Sequence, residues 1–272
     1  LGEEFGNCVR QTTDGGYIIT GKSNSFGGGE YDGYLVKTAS DGTMQWTKTF
    51  GGSVGDDDGR DVQQTTDGGY IIGGSTAWTY GQGFNDVYLV KTASDGTVQW
   101  SKTFGGAGDD VGYFVQQTSD GGFIVGGWTA NFGAGSQDAY LIKTASDGTL
   151  QWTKTYGGGS WDRGYSAQQT TDGGYIILGS TFSFGAGNQD VYLVKIALDG
   201  SLQWTKTYGG TLNDYGNSVK QCSDGGFIIA GYSASYCAIA SDVYLVKTAS
   251  DGTLQWSKTF GGADWDIGYS VN

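Results

Sequence analysis

The residues of this sequence that could do chemistry are mainly aspartates, and they recur in two sets of five. One set precedes apolar stretches of the Val-Tyr-Leu-Val type, and the other lies in glycine-rich segments after a Gln-Trp motif. The sets are Asp32, Asp86, Asp138, Asp190 and Asp242, and Asp57, Asp110, Asp162, Asp214 and Asp266. Such carboxylates could bind a ligand or calcium, or they could cap the backbone amides of turns. Of these interpretations we favour capping.

A pair of carboxylates could also hydrolyse a glycosidic bond, with one of them, usually a glutamate, acting as the acid. The chain has only three glutamates, Glu3, Glu4 and Glu30, and no histidine. The lack of histidine excludes Ser-His and Cys-His nucleophile systems and histidine metal sites. We therefore predict no catalytic residues, and a glycoside hydrolase is the least favoured alternative.

Tryptophans are the other chemically distinctive side chains. Five of the nine end a repeated Gln-Trp pair, which indicates a structural role in the core: Trp46, Trp100, Trp152, Trp204 and Trp256. The other four do not repeat: Trp78, Trp128, Trp161 and Trp265. An exposed ring can stack on a sugar while nearby amides and carboxylates bind its hydroxyls, whereas packing between loops is the alternative for these rings.

The third and fourth copies of the repeat carry the predicted ligand site. Trp128 and Trp161 would be its stacking surfaces, with Asn131, Asp138 and Asp162 as polar partners. We expect it on the end of the molecule that carries the long glycine-rich loops, because the sequence departs from the repeat there.

No cofactor and no metal ligands are predicted. A local acidic cluster surrounds Gly59 and consists of Asp56, Asp57, Asp58 and Asp61. Its spacing is not that of a calcium-binding loop, so calcium is only a weak alternative.

The elements that must position these residues are five tandem repeats. Asp-Gly-Gly-aromatic-Ile begins at Asp14, Asp67, Asp120, Asp172 and Asp224, at intervals of 52 or 53 residues. Each copy predicts four strands. In the fourth copy these are strand a around Gly164–Thr170, strand b around Tyr175–Ile177, strand c at Val191–Lys195 and strand d at Leu202–Thr207.

Strands b and c are apolar on both faces, which is typical of sheets that are covered on both sides. A radial stack of small sheets meets that condition. The sequence therefore predicts an all-β, five-bladed β-propeller with four antiparallel strands per blade, with strand a innermost. Ten repeated lysines are interpreted as blade-edge or snorkelling side chains. A repeated aromatic residue six positions before each strand-c aspartate is interpreted as an anchor for its loop.

The segment Lys247–Trp256, with its Asp-Gly-x-x-x-Trp block, resembles the repeat motif of PQQ-like propellers. The whole repeat is also similar to tandem units of bacterial and archaeal surface propellers. The resemblance implies a blade architecture in which the tryptophan docks between neighbouring blades. It does not extend to the quinone and calcium sites of the PQQ enzymes, so neither cofactor is carried over.

Residues 1–262 are predicted to form a single propeller of five repeats of about 52 residues. Residues 263–272 begin a sixth repeat and supply a surplus strand, which would displace the first strand, pair at an edge or mediate self-association. An open array cut from a longer repeat protein is the alternative architecture.

Composition limits the partners. The net charge is −13 and the pI is about 4.2, which argues against nucleic acid and anionic membranes. No apolar run is long enough for a membrane helix, so membrane insertion is not expected. The three cysteines, Cys8, Cys222 and Cys237, do not form a disulfide framework. We expect an acidic protein that is extracellular or at the cell surface.

Three functions remain open. The favoured one is a non-catalytic binding or surface propeller of the lectin or adhesin type, whose partner is a glycan or surface polymer. A structural repeat unit of a surface layer or filament is the second. Glycoside hydrolysis is the third.

Overall fold

The computed structural model describes residues 2–78, 80–237 and 240–272, and all regular secondary structure in them is β-strand. Sheet 1 contains β1 (Glu4–Gln11), β2 (Tyr17–Ser23), β3 (Asp32–Thr38) and β4 (Met44–Phe50). Sheet 2 contains β5 (Asp57–Gln64), β6 (Tyr70–Ala77), β7 (Asn85–Thr92) and β8 (Val98–Phe104). Sheet 3 contains β9 (Asp110–Gln117), β10 (Phe123–Thr129), β11 (Asp138–Thr144) and β12 (Leu150–Tyr156).

Sheet 4 contains β13 (Asp162–Gln169), β14 (Tyr175–Thr181), β15 (Asp190–Ile196) and β16 (Leu202–Tyr208). Sheet 5 contains β17 (Asp214–Gln221), β18 (Phe227–Ser233), β19 (Asp242–Thr248) and β20 (Leu254–Phe260). Each sheet is an antiparallel meander in chain order. The protein is thus an all-β, five-bladed β-propeller with four strands per blade, which confirms the fold predicted from the repeat.

The turns within each sheet follow from the repeated glycines. In sheet 4, Gly173 and Gly200 adopt φ of 84° and 79°, a left-handed conformation that glycine reaches without steric cost. The Asp172 Oδ1 atom accepts the N–H of Gly174 at 3.1 Å. These Asp-Gly turns join β13 to β14 and β15 to β16 as the sequence predicted.

The first strand of each sheet begins earlier than predicted and carries a bulge. β13 starts at Asp162, a residue that the sequence placed in the linker. Within β13 the pairing shifts between Gly164 and Ser166, so Tyr165 is the extra residue. Side chains on either side of a bulge lose the simple two-residue alternation.

The strands pack into two compact units, which we describe separately. One comprises Leu1–Asn131 with Leu141–Thr153, and the other comprises Phe132–Tyr140 with Lys154–Asn272. In the first unit a core between sheets 1 and 2 includes Ile18, Leu35 and Val62, with Trp46 at its margin. The Trp46 ring meets Tyr70 edge-on, with centroids 5.9 Å apart.

In the second unit the core between sheets 4 and 5 repeats this arrangement. It includes Ile176, Leu193 and Ile229. Trp204 lies at its margin and contacts Phe227 edge-on at 6.1 Å. Trp256, at the equivalent position of sheet 5, is 42% exposed, so the prediction that all five repeated tryptophans are core is wrong for this one.

The lysine that follows the apolar run of strand c was predicted to be a blade-edge or snorkelling side chain, but its ammonium is buried in an ion pair. The Lys195 ammonium lies 2.9 Å from Asp172 and donates to the Ile196 carbonyl. The same ion pair joins Lys37 to Asp14, Lys91 to Asp67, Lys143 to Asp120 and Lys247 to Asp224. The lysine of strand c thereby fixes the first turn of its own sheet.

The surplus residues 263–272 form no strand. They nevertheless keep backbone bonds of the repeat: the Asp266 N–H donates to the Ser241 carbonyl at 2.7 Å, as the Asp214 N–H donates to that of Gln189. The Gly268 N–H reaches the Gly231 carbonyl, and the Val271 N–H donates to the Ser218 hydroxyl. The segment therefore lies along sheet 5 of its own chain.

No helix in residues 2–78, 80–237 or 240–272 is long and apolar enough to cross a membrane.

Candidate functional site

Two aspartates meet at a glycine wherever one sheet leads to the next. Asp138 begins β11 and Asp162 begins β13. The carboxylates of both residues lie against the position that a Cβ atom on Gly157 would occupy. Asp138 is 1% and Asp162 0% exposed. Equivalent pairs are Asp32 and Asp57 at Gly51, Asp86 and Asp110 at Gly105, Asp190 and Asp214 at Gly209, and Asp242 and Asp266 at Gly261.

Loop amides and hydroxyls cap these carboxylates. Asp162 accepts the Gly158 N–H at 2.7 Å and the Ser183 hydroxyl at 2.6 Å. Asp138 accepts the Gly135 N–H at 3.1 Å. Each pair thus ties the b–c loop, which joins strands b and c, to the linker that enters the next sheet. Equivalent N–H bonds reach Asp32, Asp57, Asp86, Asp110, Asp190, Asp214 and Asp266, so the capping interpretation is confirmed for nine of the ten aspartates.

Asn131 has the same capping role in the first unit. Its Nδ2 donates to Asp110 at 2.5 Å, and its Oδ1 accepts the Gly108 N–H at 2.6 Å. Asp110 also accepts the Gly106 N–H at 2.7 Å. Asn131 therefore uses both ends of its amide inside the protein.

Burial and the facing carboxylate both act on the ionisation of the pairs. Burial is the larger cause that raises the pKa of Asp138, and the facing Asp162 adds to it. Burial likewise raises the pKa of Asp190, with Asp214 as the neighbouring charge. The pKa values of Asp57, Asp86 and Asp110 are raised in the same direction by burial.

Each carboxylate pair supplies two acidic side chains. Calcium takes six to eight oxygen ligands, and no group of three or more His, Cys, Asp or Glu side chains among the described residues is arranged to hold a metal. The acidic cluster around Gly59 is used in ion pairs: Asp58 lies 3.0 Å from Arg60, and Asp61 lies 3.2 Å from Arg10.

The repeated aromatic residue of each b–c loop anchors that loop, as predicted. In sheet 4, the ring of Phe184 packs on Tyr192 of β15, with centroids 5.7 Å apart. The same contact joins Phe26 to Tyr34, Tyr80 to Tyr88, Phe132 to Tyr140 and Tyr236 to Tyr244. These rings still keep about half of their surface exposed, 44% in Phe184.

A non-repeated aromatic corner lies at the loop end of sheet 4. Trp161 and Phe182 are 47% and 42% exposed, and their rings meet at an interplanar angle of 85° with centroids 6.0 Å apart. The Phe182 N–H donates to the Trp161 carbonyl at 2.8 Å, which fixes the two residues side by side. The corner therefore consists of two partly exposed rings oriented nearly at right angles.

Polar groups adjoin this corner. The Arg163 guanidinium lies 5.3 Å from the centre of the Trp161 ring, and the Arg163 Nε–H donates to the Gln137 Oε1 at 2.6 Å. Gln137 and Trp161 also form an isolated backbone bridge. We call Trp161, Phe182, Arg163 and Gln137 the aromatic corner.

A second exposed aromatic pair occurs in the loop of sheet 2. Trp78 and Phe84 are 61% and 54% exposed, and their rings meet edge-on at 5.0 Å. Trp78 has a φ of 66°, a left-handed conformation that is costly for a residue with a side chain.

The structure corrects the predicted ligand site. Trp128 lies in β10 and is 8% exposed, so it offers no ring face to a ligand. Asp138 and Asp162 are buried caps, and Asn131 is bonded within the protein. Of the five predicted residues, only Trp161 presents an exposed surface.

Sequence reasoning missed Phe182, Arg163 and Gln137. A signal for Phe182 was present, since the equivalent position is Asn24, Ala77, Ala130 or Ala234 in the other repeats. The buried pairs are also inaccessible to the glycosidic bond that a hydrolase would have to bring between its two carboxylates.

Comparison with known proteins agrees with the fold. Residues 118–150 and 172–202 match a family of unknown function described as a β-propeller, DUF5122. The chain is similar to the Neurospora crassa Pan2 WD40 domain, with 10% identity and a TM-score of 0.59 over 94% of the chain and 66% of that domain. No curated protein matches the sequence.

Puromycin hydrolase is a further structural neighbour. The identity is 14% and the TM-score 0.52, over 92% of the chain, and a mutant form of the enzyme gives 13% and 0.54. The chain spans 38% of the hydrolase. At these identities the likeness concerns the propeller fold alone, which is compatible with a binding or a structural role.

Proposed function

We propose that this protein is a non-catalytic binding propeller whose ligand is a glycan, and that the aromatic corner is its main contact. The observation that carries the proposal is the perpendicular, exposed pair Trp161 and Phe182 at the loop end of sheet 4. Adjacent exposed aromatic rings beside polar groups are typical of ligand-binding surfaces. As a glycan-binding protein of acidic charge it would act outside the cell or at its surface.

The chemistry of the corner suits a sugar. The apolar face of a sugar ring packs against an indole, and the second ring closes one side of that platform. Arg163 and Gln137 place hydrogen-bonding groups beside the indole, and their mutual bond limits the rotamer entropy lost on binding. The corner contains no carboxylate of its own.

The positions of the paired aspartates favour a non-catalytic role. Nine of the ten paired aspartates accept an N–H group of a loop or linker. The four pairs that join successive sheets are buried. Hydrolysis would need two carboxylates with room for a sugar between them.

A glycan array tests the proposal. Intact protein should bind a defined group of glycans, and Trp161→Ala or Phe182→Ala should weaken that binding about tenfold or more. Trp256→Ala is the matched control, because Trp256 is equally exposed but lies on β20. An intact protein that binds no glycan, or a Trp161→Ala variant that binds unchanged, would exclude the aromatic corner as the site.

A structural unit of a surface layer is the second candidate, and the placement of residues 263–272 is the observation that favours it. They occupy the side of sheet 5 along which a further repeat would continue. Light scattering on the full chain and on a variant with Asp266→Ala and Val271→Asp would test it. Assembly that increases in the variant, whose own segment is weakened, would support this candidate, and a monomer in both would count against it.

A further inference from the structure

A cleft of about 350 Å³ opens between the outer strand of sheet 4 and the adjoining parts of sheet 5. Lys206, Thr207 and Tyr208 of β16 form one wall. Tyr236 of the b–c loop and Ser257 of β20 contribute to the other. The volume lies within the range of small-molecule sites, which begins at about 300 Å³.

Two tyrosines hold the walls of this cleft in place by reciprocal hydrogen bonds. The Tyr208 hydroxyl donates from sheet 4 to the Gly252 carbonyl of sheet 5 at 2.6 Å. The Tyr236 hydroxyl donates in the opposite direction, to the Gly209 carbonyl, also at 2.6 Å. The cleft is therefore formed before a ligand arrives, which reduces the entropy lost on binding.

Tyrosine at both of these positions is specific to the junction between sheets 4 and 5. The positions equivalent to Tyr208 hold Phe50, Phe104, Tyr156 and Phe260, and those equivalent to Tyr236 hold Phe26, Tyr80, Phe132 and Phe184. In chain order, only the step from sheet 4 to sheet 5 has tyrosine at both positions. The pair of tyrosines at this cleft is thus a departure from the repeat.

The cleft carries little net charge. Burial raises the pKa values of Tyr244, to about 12, and of Tyr208, so both phenols stay neutral at physiological pH. Lys206 is the one cation among the lining residues. The neighbouring Asp251 offsets its charge: the pKa of Asp251 is lowered mainly by the Thr253 amide and hydroxyl, and the charge of Lys206 also lowers it. A free anion gains little from such a balanced environment.

The accessible walls combine hydroxyls with apolar surface. Thr207, Thr253 and Ser257 provide the hydroxyls, while Tyr236 and Leu254 are 50% and 49% exposed. We propose that this cleft is a second ligand site, and that it binds a single neutral sugar residue. The inference rests on the proposed glycan-binding function but uses residues that the aromatic corner does not contain.

Saturation-transfer NMR tests the site with glucose, galactose and N-acetylglucosamine as probes and glucuronate as the charged counterpart of glucose. We expect a signal from at least one neutral sugar and none from glucuronate. Thr253→Trp should abolish the signal, because the indole fills the cleft while the backbone bond from Thr253 N to Asp251 is kept. Thr97→Trp alters the equivalent turn of sheet 2 and should leave the signal unchanged.

A second pair of variants tests the reciprocal bonds. Tyr236→Phe removes the bond to Gly209, and binding should weaken about tenfold. Phenylalanine occupies the equivalent position in three repeats, so the variant should fold. Tyr80→Phe removes the matching bond to Gly51, 3.0 Å long, and should not change binding.

Each outcome separates the cleft from the aromatic corner. A neutral-sugar signal that survives Trp161→Ala and is lost in Thr253→Trp supports the cleft. Array binding that depends on Trp161, together with an unchanged signal in Thr253→Trp, would leave the proposed function standing and overturn the second site. Absence of signal from all three neutral sugars on intact protein, or a stronger signal from glucuronate, would also overturn it.

Discussion

Asp138 and Asp162 face each other across Gly157 with hardly any exposed surface, although both are carboxylates. Burial and the second carboxylate raise the pKa of Asp138 above that of an aspartate in the unfolded chain. The folded protein therefore binds a proton more tightly than the unfolded chain does. Stability from this source is fully present below the unfolded pKa, near 4, and is lost as pH rises through the raised folded pKa.

Asp138→Asn should therefore stabilise the protein at neutral pH. An amide can accept the Gly135 N–H and donate to Asp162, so the variant should gain about 1 kcal/mol at pH 7 and lose the advantage near pH 4. Urea unfolding of both proteins between pH 4 and pH 8 measures this difference. A constant difference across that range would contradict the role assigned to the pair.

Gly157→Ala should destabilise the protein severely. The added Cβ would coincide with the carboxylates of Asp138 and Asp162, and we expect a loss of about 3 kcal/mol or more. Gly159→Ala is the control two residues away, since nothing lies within 4 Å of its Cβ position. Thermal unfolding of the two variants should separate them by many degrees, and equal melting temperatures would show that the pair tolerates displacement.

The ion pair between Lys143 and Asp120 should respond unequally to loss of its two partners. The Lys143 side chain is 2% exposed and that of Asp120 is 50% exposed. Asp120→Asn leaves a buried ammonium without its counter-ion and should cost about 2 kcal/mol. Lys143→Met leaves a carboxylate that water can reach, and should cost about 1 kcal/mol or less.

A double-mutant cycle provides the control for this asymmetry. The variant with both substitutions should be close in stability to Lys143→Met alone, because no buried charge remains. Urea unfolding at pH 7 measures the cycle. A Lys143→Met variant less stable than Asp120→Asn would mean that packing of the lysine stem dominates.

The thiol of Cys8 should be unreactive in the folded protein. Burial, together with the neighbouring Asp61 carboxylate, raises the pKa of Cys8 to about 12, so thiolate is scarce at pH 8. Iodoacetamide should modify Cys222 or Cys237 well before Cys8, as measured by peptide mass spectrometry. In urea all three should react at similar rates, and early labelling of Cys8 in the native protein would contradict this prediction.

The repeat predicted the sheets well because turn residues and apolar runs are local signals. β16 was expected at Leu202–Thr207 and extends to Tyr208, while β15 gains one residue at each end. The start of β13 was missed because an aspartate after glycines resembles a linker. Its place in the strand depends on the Gln137 carbonyl of the preceding sheet, which accepts the Asp162 N–H.

The candidate site was predicted less well, because the exposure of its residues depends on bulges and long-range contacts that residue spacing does not reveal. Trp128 was predicted to be exposed because it does not repeat and lies near a loop. It occupies a strand position opposite Val111, next to a bulge that no residue pattern indicates. Lys195 was interpreted as a blade-edge or snorkelling side chain, because its partner Asp172 is 23 residues away and their ion pair is not visible in the spacing. Of the five predicted site residues, only Trp161 combined a break in the repeat with exposure.

The order of strands in each sheet also has a meaning for how the chain is made. Every hydrogen-bonded neighbour is the next strand along the chain, so a sheet needs nothing that has not already been synthesised. At ribosomal speed a repeat of about 52 residues emerges in roughly five seconds, while hairpins close in microseconds. The sequence also lacks proline, and with it the slow isomerisation that delays many β proteins. The hydrogen bonds within each blade can thus form on the ribosome before the next blade has left the exit tunnel.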